Sequence, residues 1–173
     1  LNRVFQGVPV YLEPIEDSEC TNGRETADKV WEVIINDLND CINNANLPDK
    51  YSKGDANYGR ATKGAAYALL GQTYMWMKDY AKAEAALRKV GEKGFTLFQG
   101  EYQQLFKEEN EQCDEMIFSE QNIGIKDYGS KTQFWLGPRV SFGSCWNSYL
   151  PSVNWVESFE CADGKAFNWN DFL

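Results

Sequence analysis

Apolar residues in the first half of the chain recur at the spacing of a helix face. They fall three or four positions apart over residues 24–44, and the same spacing runs from residue 62 to about 77 and from 80 to about 91. The spacing predicts three helices. Trp31 and Trp76 lie at positions on their apolar faces, which predicts that both indole rings belong to the core.

Polar residues at the starts of these runs predict where each helix begins. Thr62 and Asp79 carry side-chain oxygens that can accept hydrogen bonds from the free N–H groups of a first helical turn. Thr21 or Asn22 is predicted to cap the first helix in the same way. The second and third helices are then separated by only a short turn, so they are expected to form an antiparallel pair.

Beyond residue 98 the helical pattern is lost. A short helix is predicted over residues 102–107 and a strand over 116–121. Residues 122–150 contain many Gly, Ser and aromatic residues and few helix formers, which is typical of a long loop. Pro151 precedes a predicted last helix that continues to about Phe159.

The pair of helices over residues 62–91 has the spacing of a tetratricopeptide repeat. Small residues in that pattern let two antiparallel helices approach, and large ones fill the space between them. The residues that fit it are Tyr67, Leu70, Gly71, Tyr74, Ala83 and Leu87. Because one repeat cannot bury its own faces, the helix over 24–44 is the predicted neighbour.

These patterns predict a mostly α fold with a tetratricopeptide-like helical-repeat core and an irregular, aromatic-rich loop region. The chain is interpreted as a single partial domain over residues 1–173. Residues 24–98 form its helical-repeat portion, and residues 99–173 form an irregular portion that is expected to bind ligand.

Composition narrows the classes of partner. The 173 residues are 43% hydrophobic, which is enough to bury a core, and the formal net charge is −9. An acidic chain has no basic face with which to neutralise phosphates, so nucleic acid is not an expected partner. No apolar run is long enough to predict a membrane span.

The titratable residues argue against catalysis and metal binding. The chain has no histidine, which excludes Ser-His-Asp and Cys-His catalysis and removes the commonest zinc ligand. The cysteines are too far apart for a C-x-x-C motif and are expected to be thiols that pack as small hydrophobic residues, although one disulfide remains open. They are Cys20, Cys41, Cys113, Cys145 and Cys161. No cofactor, metal ion or catalytic residue is predicted.

Two acidic segments invite a different interpretation. Glycosidase carboxylates must face each other across a sugar, at about 5–10 Å. The acidic residues between Glu108 and Glu115 are close in sequence, so a solvated loop is the preferred interpretation of that segment. Asp163 and Gly164 are interpreted as a turn rather than as part of a cation site.

Four motifs, in order along the chain, resemble the SusD/RagB family. The helix-pair motif is Tyr58-Gly-Arg-Ala-Thr-Lys-Gly-Ala-Ala-Tyr-Ala-Leu-Leu-Gly-Gln-Thr-Tyr-Met, followed by Lys78-Asp-Tyr-Ala-Lys-Ala. Gly7-Val8-Pro9 with Arg24-Glu25 and the helix after it is similar to the segment that precedes the pair. Residues 100–121 and the run from Pro151 to Gly164 are similar to segments that follow it, with Trp155 where the family usually has leucine.

The resemblance implies a non-enzymatic, glycan-binding lipoprotein of Bacteroidetes. Such a protein is tethered to the outer surface of the outer membrane and passes oligosaccharides to a SusC-like TonB-dependent transporter. Family members are several times longer, so the sequence is expected to be a fragment whose lipid anchor lies outside it. The expected partners are therefore an oligosaccharide or polysaccharide and the transporter.

The aromatic loop contains the predicted binding residues. Exposed aromatic rings match the flat C–H faces of sugars, while amide and guanidinium groups bind the hydroxyls. The predicted ligand-binding residues are Trp135, Trp146, Tyr149, Tyr128, Arg139 and Asn147. The competing interpretation is that these aromatic residues pack under the loop as a second core. The roles of Trp155 and Trp169 remain open, although the leucine at the family position favours packing for Trp155.

The sequence thus predicts non-catalytic glycan capture. Two alternatives remain. One is a helical-repeat scaffold that docks another protein, which an aromatic-poor surface would favour. The other is a fragment of a glycoside hydrolase, which would need an opposed pair of carboxylates.

Overall fold

The structure is a computed structural model that describes residues 1–121, 135–136 and 148–171. The chain divides into two compact units, Leu1–Glu120 and Gln121–Leu173. Each unit is described by itself below. The interpretation of residues 1–173 as one partial domain stays a prediction.

The described residues confirm the mostly α prediction. The α-helices whose bounds lie within the described residues are α1 (Asn2–Phe5), α2 (Ala27–Asn43), α3 (Lys63–Trp76), α4 (Tyr80–Glu92) and α5 (Val153–Glu157). Short 3₁₀ turns occur at Asp17–Glu19, Tyr102–Phe106, Glu108–Asn110 and Trp169–Asp171. The helices predicted over 24–44, 62–77 and 80–91 correspond to α2, α3 and α4. The one predicted after Pro151 corresponds to α5.

The strand predicted over residues 116–121 is wrong. Within the described residues, β pairing is limited to a single antiparallel bridge between Glu160 and Ala166. The backbone at Met116 instead closes a turn, because its N–H donates to the carbonyl of Cys113 at 3.0 Å. An apolar run forms a strand only if a neighbouring segment pairs with it, which a short sequence pattern does not reveal.

Two of the predicted caps are confirmed. The hydroxyl oxygen of Thr62 accepts a hydrogen bond from the N–H of Ala65 at 3.2 Å, at the start of α3. A carboxylate oxygen of Asp79 accepts one from the N–H of Lys82, also at 3.2 Å, at the start of α4. Each bond satisfies a backbone donor that the first turn leaves free, so these residues determine where the helices begin.

The cap of α2 is Thr26, not Thr21 or Asn22. The Thr26 hydroxyl accepts from the N–H of Lys29 at 3.2 Å. Asn22 is engaged elsewhere, since its backbone N–H donates to the Tyr11 hydroxyl at 2.7 Å. Several residues in this stretch are chemically able to cap, and contacts with the N-terminal segment decide which of them does.

The core of the first unit lies where α3 packs against α2 and α4. Its buried residues are Leu38, Ala66, Leu70 and Ala86, with Ile34, Ile35, Ile42 and Tyr74 packed against them. At Gly71 the two helices of the repeat approach closely, because a Cβ atom there would lie only 2.5 Å from Leu87 Cγ. The predicted stacking of the 24–44 helix on the helix pair is confirmed.

Trp76 does not belong to the core, contrary to the prediction. Its side chain is at the end of α3 and is 51% exposed. The guanidinium carbon of Arg3 lies 3.7 Å from the centroid of its ring, which is a cation–π contact. The buried positions along α3 are filled by small and aliphatic residues, and the indole, in the last turn of the helix, lies at the surface.

A second close approach fixes the segment after α4. Phe95 is buried, and a Cβ atom at Gly64 would lie only 2.1 Å from its ring. The ammonium of Lys50 lies 5.3 Å from the same ring and donates to the carbonyl oxygen of Gly94 at 2.8 Å. Lys50 also forms an ion pair with Asp114. Lys50 thereby connects its own loop with the segment at Gly94 and Phe95 and with the segment at Asp114.

The described cysteines, Cys20, Cys41, Cys113 and Cys161, are free thiols. Cys20 and Cys41 are exposed, so the expectation that the thiols pack as buried hydrophobic residues is wrong for these two. None of the helices within the described ranges has the length and apolar character needed to cross a bilayer.

Candidate functional site

The structure describes two of the six predicted ligand-binding residues. Trp135 and Tyr149 fall within the described ranges, both in the second unit. Tyr128, Arg139, Trp146 and Asn147 lie outside the described residues. The role of all six in binding stays a prediction.

A backbone contact brings the surroundings of Trp135 and Tyr149 together. The N–H of Ser148 donates to the carbonyl oxygen of Trp135 at 2.8 Å, although the two residues are far apart in sequence. Tyr149 follows immediately and is 66% exposed, while Trp135 is half-buried. Two predicted residues therefore lie on adjacent backbone segments, and one of them presents its ring to solvent.

Helix α5 presents further aromatic residues. It begins at Ser152, whose hydroxyl oxygen accepts from the N–H of Trp155 at 3.2 Å. Trp155 and Phe159 pack edge to face, with ring centroids 4.7 Å apart. Trp155 is nevertheless 57% exposed, and Phe159 is also exposed. Trp155 therefore packs against the Phe159 ring but leaves more than half of its surface open to solvent.

A tight turn after α5 returns the chain towards the helix. The N–H of Cys161 donates to the carbonyl of Lys165 at 2.8 Å, and the N–H of Gly164 donates to that of Cys161 at 2.8 Å. Gly164 has a φ of +79°, a value that L side chains rarely adopt. The interpretation of this Asp-Gly segment as a turn is confirmed.

The turn places Trp169 beside α5. The indole N–H of Trp169 donates to a carboxylate oxygen of Glu157 at 2.6 Å. Phe167 packs against the Trp169 ring edge to face, at 4.8 Å between centroids. Trp169 remains 49% exposed, so one hydrogen bond and one ring contact hold the indole while part of it still faces solvent.

The acidic segment of the first unit has structural contacts. Besides the ion pair of Asp114 with Lys50, a carboxylate oxygen of Glu115 accepts from the N–H of Phe98 at 2.7 Å. Burial raises the pKa of Tyr58, and the nearby acidic groups of Cys113 and Asp114 raise it further. Asp114 and Glu115 therefore stabilise the neighbouring loops of the first unit through these contacts.

Acidic groups in the second unit are likewise paired or dispersed. A hydrogen bond from the Lys165 side chain lowers the pKa of Asp163, and the two charged groups are 2.6 Å apart. The described residues contain no cluster of three or more Cys, Asp or Glu side chains that could bind a metal ion. The described part of this unit exposes several aromatic rings, with hydrogen-bonding groups between them.

Such a surface is suited to ligands with an apolar face and polar edges. An exposed indole or phenol ring contacts C–H groups, and a neighbouring carboxylate accepts hydrogen bonds from hydroxyls. Tyr149, Trp155 and Trp169 are exposed rings of this kind.

The sequence matches no family model and no curated protein, but solved structures match its fold. A SusD-like protein from Bacteroides fragilis aligns over 96% of this chain, with a TM-score of 0.76 and 24% identity. Surface glycan-binding protein A from Bacteroides uniformis aligns over 68%, with a TM-score of 0.57 and 30% identity. A laminarin-binding SusD-like protein aligns over 68%, with a TM-score of 0.59 and 32% identity. The chain belongs to the SusD-like family.

The SusD-like chain spans only part of these structures. It covers 33% of the Bacteroides fragilis protein and 26% of each of the other two. The resemblance inferred from the sequence motifs is confirmed, and the helix pair that carries the main motif is α3 with α4.

The family-like run from Pro151 to Gly164 includes Glu157 and Phe159, but the sequence predicted no binding role for either of them, and it left the role of Trp169 open. The spacing of Trp155 and Phe159, four positions apart, shows in the sequence that they share a helix face. It does not show that this face is exposed to solvent. The hydrogen bond between Glu157 and Trp169 depends on the turn at Gly164. A turn signal next to an aromatic run is the sequence feature that could have drawn attention to it.

Proposed function

We propose that this SusD-like chain is a glycan-binding module that captures oligosaccharides or polysaccharides without chemically altering them. The observation that supports this most directly is the exposed ring of Tyr149 on a backbone segment bonded to that of Trp135. Two structures with the same fold are, by name, a surface glycan-binding protein and a laminarin-binding protein.

Stacking supplies the binding energy in this proposal. A sugar ring placed on a half-exposed tyrosine or tryptophan removes apolar area from water, and neighbouring amides and guanidinium groups bind its hydroxyls. Trp135 and Tyr149 form the described part of the site. Trp146, Tyr128, Arg139 and Asn147 complete it in this proposal.

The proposal places the protein at the outer surface of the outer membrane, where it passes its ligand to a SusC-like TonB-dependent transporter. The family assignment supports this location, and so does the name of the surface glycan-binding neighbour. Co-expression with a candidate transporter, followed by co-purification from outer membranes, tests the partnership. Failure to co-purify with any SusC-like transporter would remove this part of the proposal.

Calorimetric titration with a panel of oligosaccharides tests the binding function. We expect saturable binding of at least one glycan, weakened about tenfold or more in Trp135→Ala and Tyr149→Ala, because each substitution removes an aromatic face on which the sugar ring stacks. Stacking of a nucleic-acid base on such a ring contributes about 1–3 kcal/mol, and a tenfold loss of affinity corresponds to about 1.4 kcal/mol. Trp76→Ala is the matched control, since it removes an exposed indole from the first unit. Product analysis of the same samples should show intact oligosaccharide.

Two outcomes would overturn the proposal. A folded protein that binds no glycan of the panel would remove the capture function altogether. Cleaved oligosaccharide would instead favour a glycoside hydrolase fragment.

One observation favours a second candidate function, a protein-docking scaffold. An apolar groove of about 510 Å³ lies against α2 and α3 in the first unit, with Leu38, Leu69 and Phe118 among its lining residues. Leu69 and Phe118 are exposed. If Leu69→Asp weakens association with a partner protein while glycan binding is unchanged, the scaffold function gains support.

A further inference from the structure

In the segment from Ser152 to Asp171, the indole ring of Trp169 is fixed in orientation by its neighbours. Ser152 caps α5, the turn at Gly164 reverses the chain, and Trp169 returns to donate its indole N–H to Glu157 at 2.6 Å. Because that bond and the contact with Phe167 restrict the indole, little rotamer freedom is left to lose when a ligand stacks on it. The Trp169 ring is thus preorganised for a stacking ligand.

Glu157 offers a polar group beside this ring. Its Oε1 atom accepts the indole N–H, while its Oε2 atom accepts no hydrogen bond from any residue in the described ranges. The side chain is exposed. A ligand hydroxyl next to the indole could therefore donate to Oε2 without displacing the bond that orients Trp169.

The local charge selects the class of ligand. Among the described residues of the second unit the acidic groups are Glu157, Glu160, Asp163 and Asp171, and the basic group is Lys165. Lys165 forms an ion pair with Asp163 at 2.6 Å. A uronic or sulfated glycan would meet net negative charge among the described residues, whose one basic group is already paired, so an uncharged glycan is favoured.

An alternative is that these rings are covered by apolar protein surface. That arrangement would take the Glu157 carboxylate out of water with only one of its oxygens hydrogen-bonded, which is costly for a charged group. A polyhydroxyl ligand covers the ring and satisfies the carboxylate together. The combination of a half-exposed indole and an adjacent carboxylate therefore fits a sugar better than it fits a hydrophobic partner.

We propose that Trp169 and Glu157 form a binding subsite for an uncharged sugar ring, separate from the predicted residues around Trp135 and Tyr149. The ring stacks on Trp169, and a hydroxyl donates to Glu157 Oε2. This inference rests on the proposed function, since it names a second site and a ligand class for glycan capture.

Indole N–H signals provide a readout specific to this subsite. The chain has six tryptophans, and Trp169→Phe identifies the Trp169 signal in a ¹⁵N-correlated spectrum of the full 173-residue protein. Neutral oligosaccharides from laminarin, starch and xylan are compared with anionic oligosaccharides from polygalacturonate and heparin. We expect the Trp169 signal to shift saturably with at least one neutral ligand and with none of the anionic ones.

Substitutions then separate the subsite from the rest of the protein. Trp169→Ala should weaken neutral oligosaccharide binding at least tenfold, and Glu157→Gln, which can still accept the indole N–H, should weaken it about threefold or more. Asp171→Asn is the control for charge, and Trp76→Ala is the control for loss of an exposed indole. Both controls should bind as the unsubstituted protein does.

The outcomes distinguish this subsite from the proposed function. If the protein binds a glycan while the Trp169 signal does not move and both substitutions leave affinity unchanged, the subsite is disproved and the capture function stands. Tighter binding of an anionic glycan at Trp169 would overturn the ligand class. Absence of all glycan binding by the folded protein overturns the capture function, and the subsite with it.

Discussion

The two units of the chain differ in where they place their large side chains. In the first unit the buried residues of the α3 contacts are small or aliphatic, with Ala66, Leu70 and Ala86 at the centre. In the second unit no described residue is buried, and Tyr149 and Trp155 are more than half exposed.

This difference shows what close helix packing does with aromatic residues. Where α3 meets α4, the approach at Gly71 leaves no space for a larger side chain, and Trp76, in the last turn of α3, lies at the surface. The second unit has no such packed helix pair among its described residues, and its rings contact one another in edge-to-face pairs. The first unit is therefore expected to contribute stability and the second to contribute recognition.

The largest expected effect comes from removing a core side chain of the first unit. Leu70→Ala should lower the free energy of unfolding by about 2–5 kcal/mol, because it leaves a cavity among the residues that join α2, α3 and α4. Trp155→Ala, which removes a larger but exposed side chain, should change it by less than about 0.5 kcal/mol. Urea unfolding followed by circular dichroism at the helical band measures both. Equal losses of unfolding free energy in the two variants would contradict the difference between the two units.

A pair of helical glycines gives the next largest contrast. Gly64→Ala places a methyl group against the buried ring of Phe95 and should destabilise the protein by about 1–3 kcal/mol. Gly91→Ala, in α4, meets no atom within 4 Å and should stabilise it by up to about 1 kcal/mol through helix propensity. Thermal unfolding of the two variants should therefore shift in opposite directions. A stabilising Gly64→Ala would show that the Phe95 ring moves aside easily.

The same capping chemistry occurs in both units and should matter differently. Thr62→Ala removes the cap of α3 and should cost about 1 kcal/mol of global stability, which Thr62→Ser should largely restore. Ser152→Ala removes the cap of the short helix α5, so its effect should be limited to faster amide hydrogen exchange around Trp155. Global unfolding and residue-resolved exchange distinguish the two cases. A global loss in Ser152→Ala would mean that α5 unfolds together with the core.

The smallest expected effect is a pH dependence at the start of α4. Hydrogen bonds from the side chain and backbone N–H of Lys82 lower the pKa of Asp79. Its contribution to stability is therefore complete above the ordinary aspartate pKa of about 3.9 and is lost as the pH falls through the lower pKa of the folded state. Asp79→Asn keeps a capping oxygen and should make the acid side of the stability–pH profile shallower. An unchanged profile would mean that Asp79 does not contribute to acid unfolding.

Most of the helical part could be predicted from the sequence because its determinants are local. The spacing of apolar residues and the caps at Thr62 and Asp79 act within one or two turns, and they located α3 and α4 closely. The strand over 116–121 was wrong because a strand needs a pairing segment that is distant in sequence, and the cap of α2 was wrong because several residues before that helix are chemically able to cap it. Asn22 is engaged with Tyr11, and the run after Cys113 has no pairing strand among the described residues.

The candidate site was harder to predict, because exposure of an aromatic ring depends on what packs around it. Trp76 and Trp155 both occur on helices, and the sequence placed the first in the core and favoured packing for the second. Both are exposed. The orientation of Trp169 required the turn at Gly164 and the partner Glu157 together, and no single motif encodes that combination.

The position of Lys50 has a consequence for how the first unit is digested by proteases. Its ammonium contacts the Gly94 carbonyl, the Phe95 ring and the Asp114 carboxylate. Lys50, the adjacent residues Gly94 and Phe95, and Asp114 lie in three segments that are separated along the chain. Replacing Lys50 with methionine should make peptide bonds in all of those segments more susceptible to cleavage at the same time, so that one point substitution changes a digestion pattern at several distant positions.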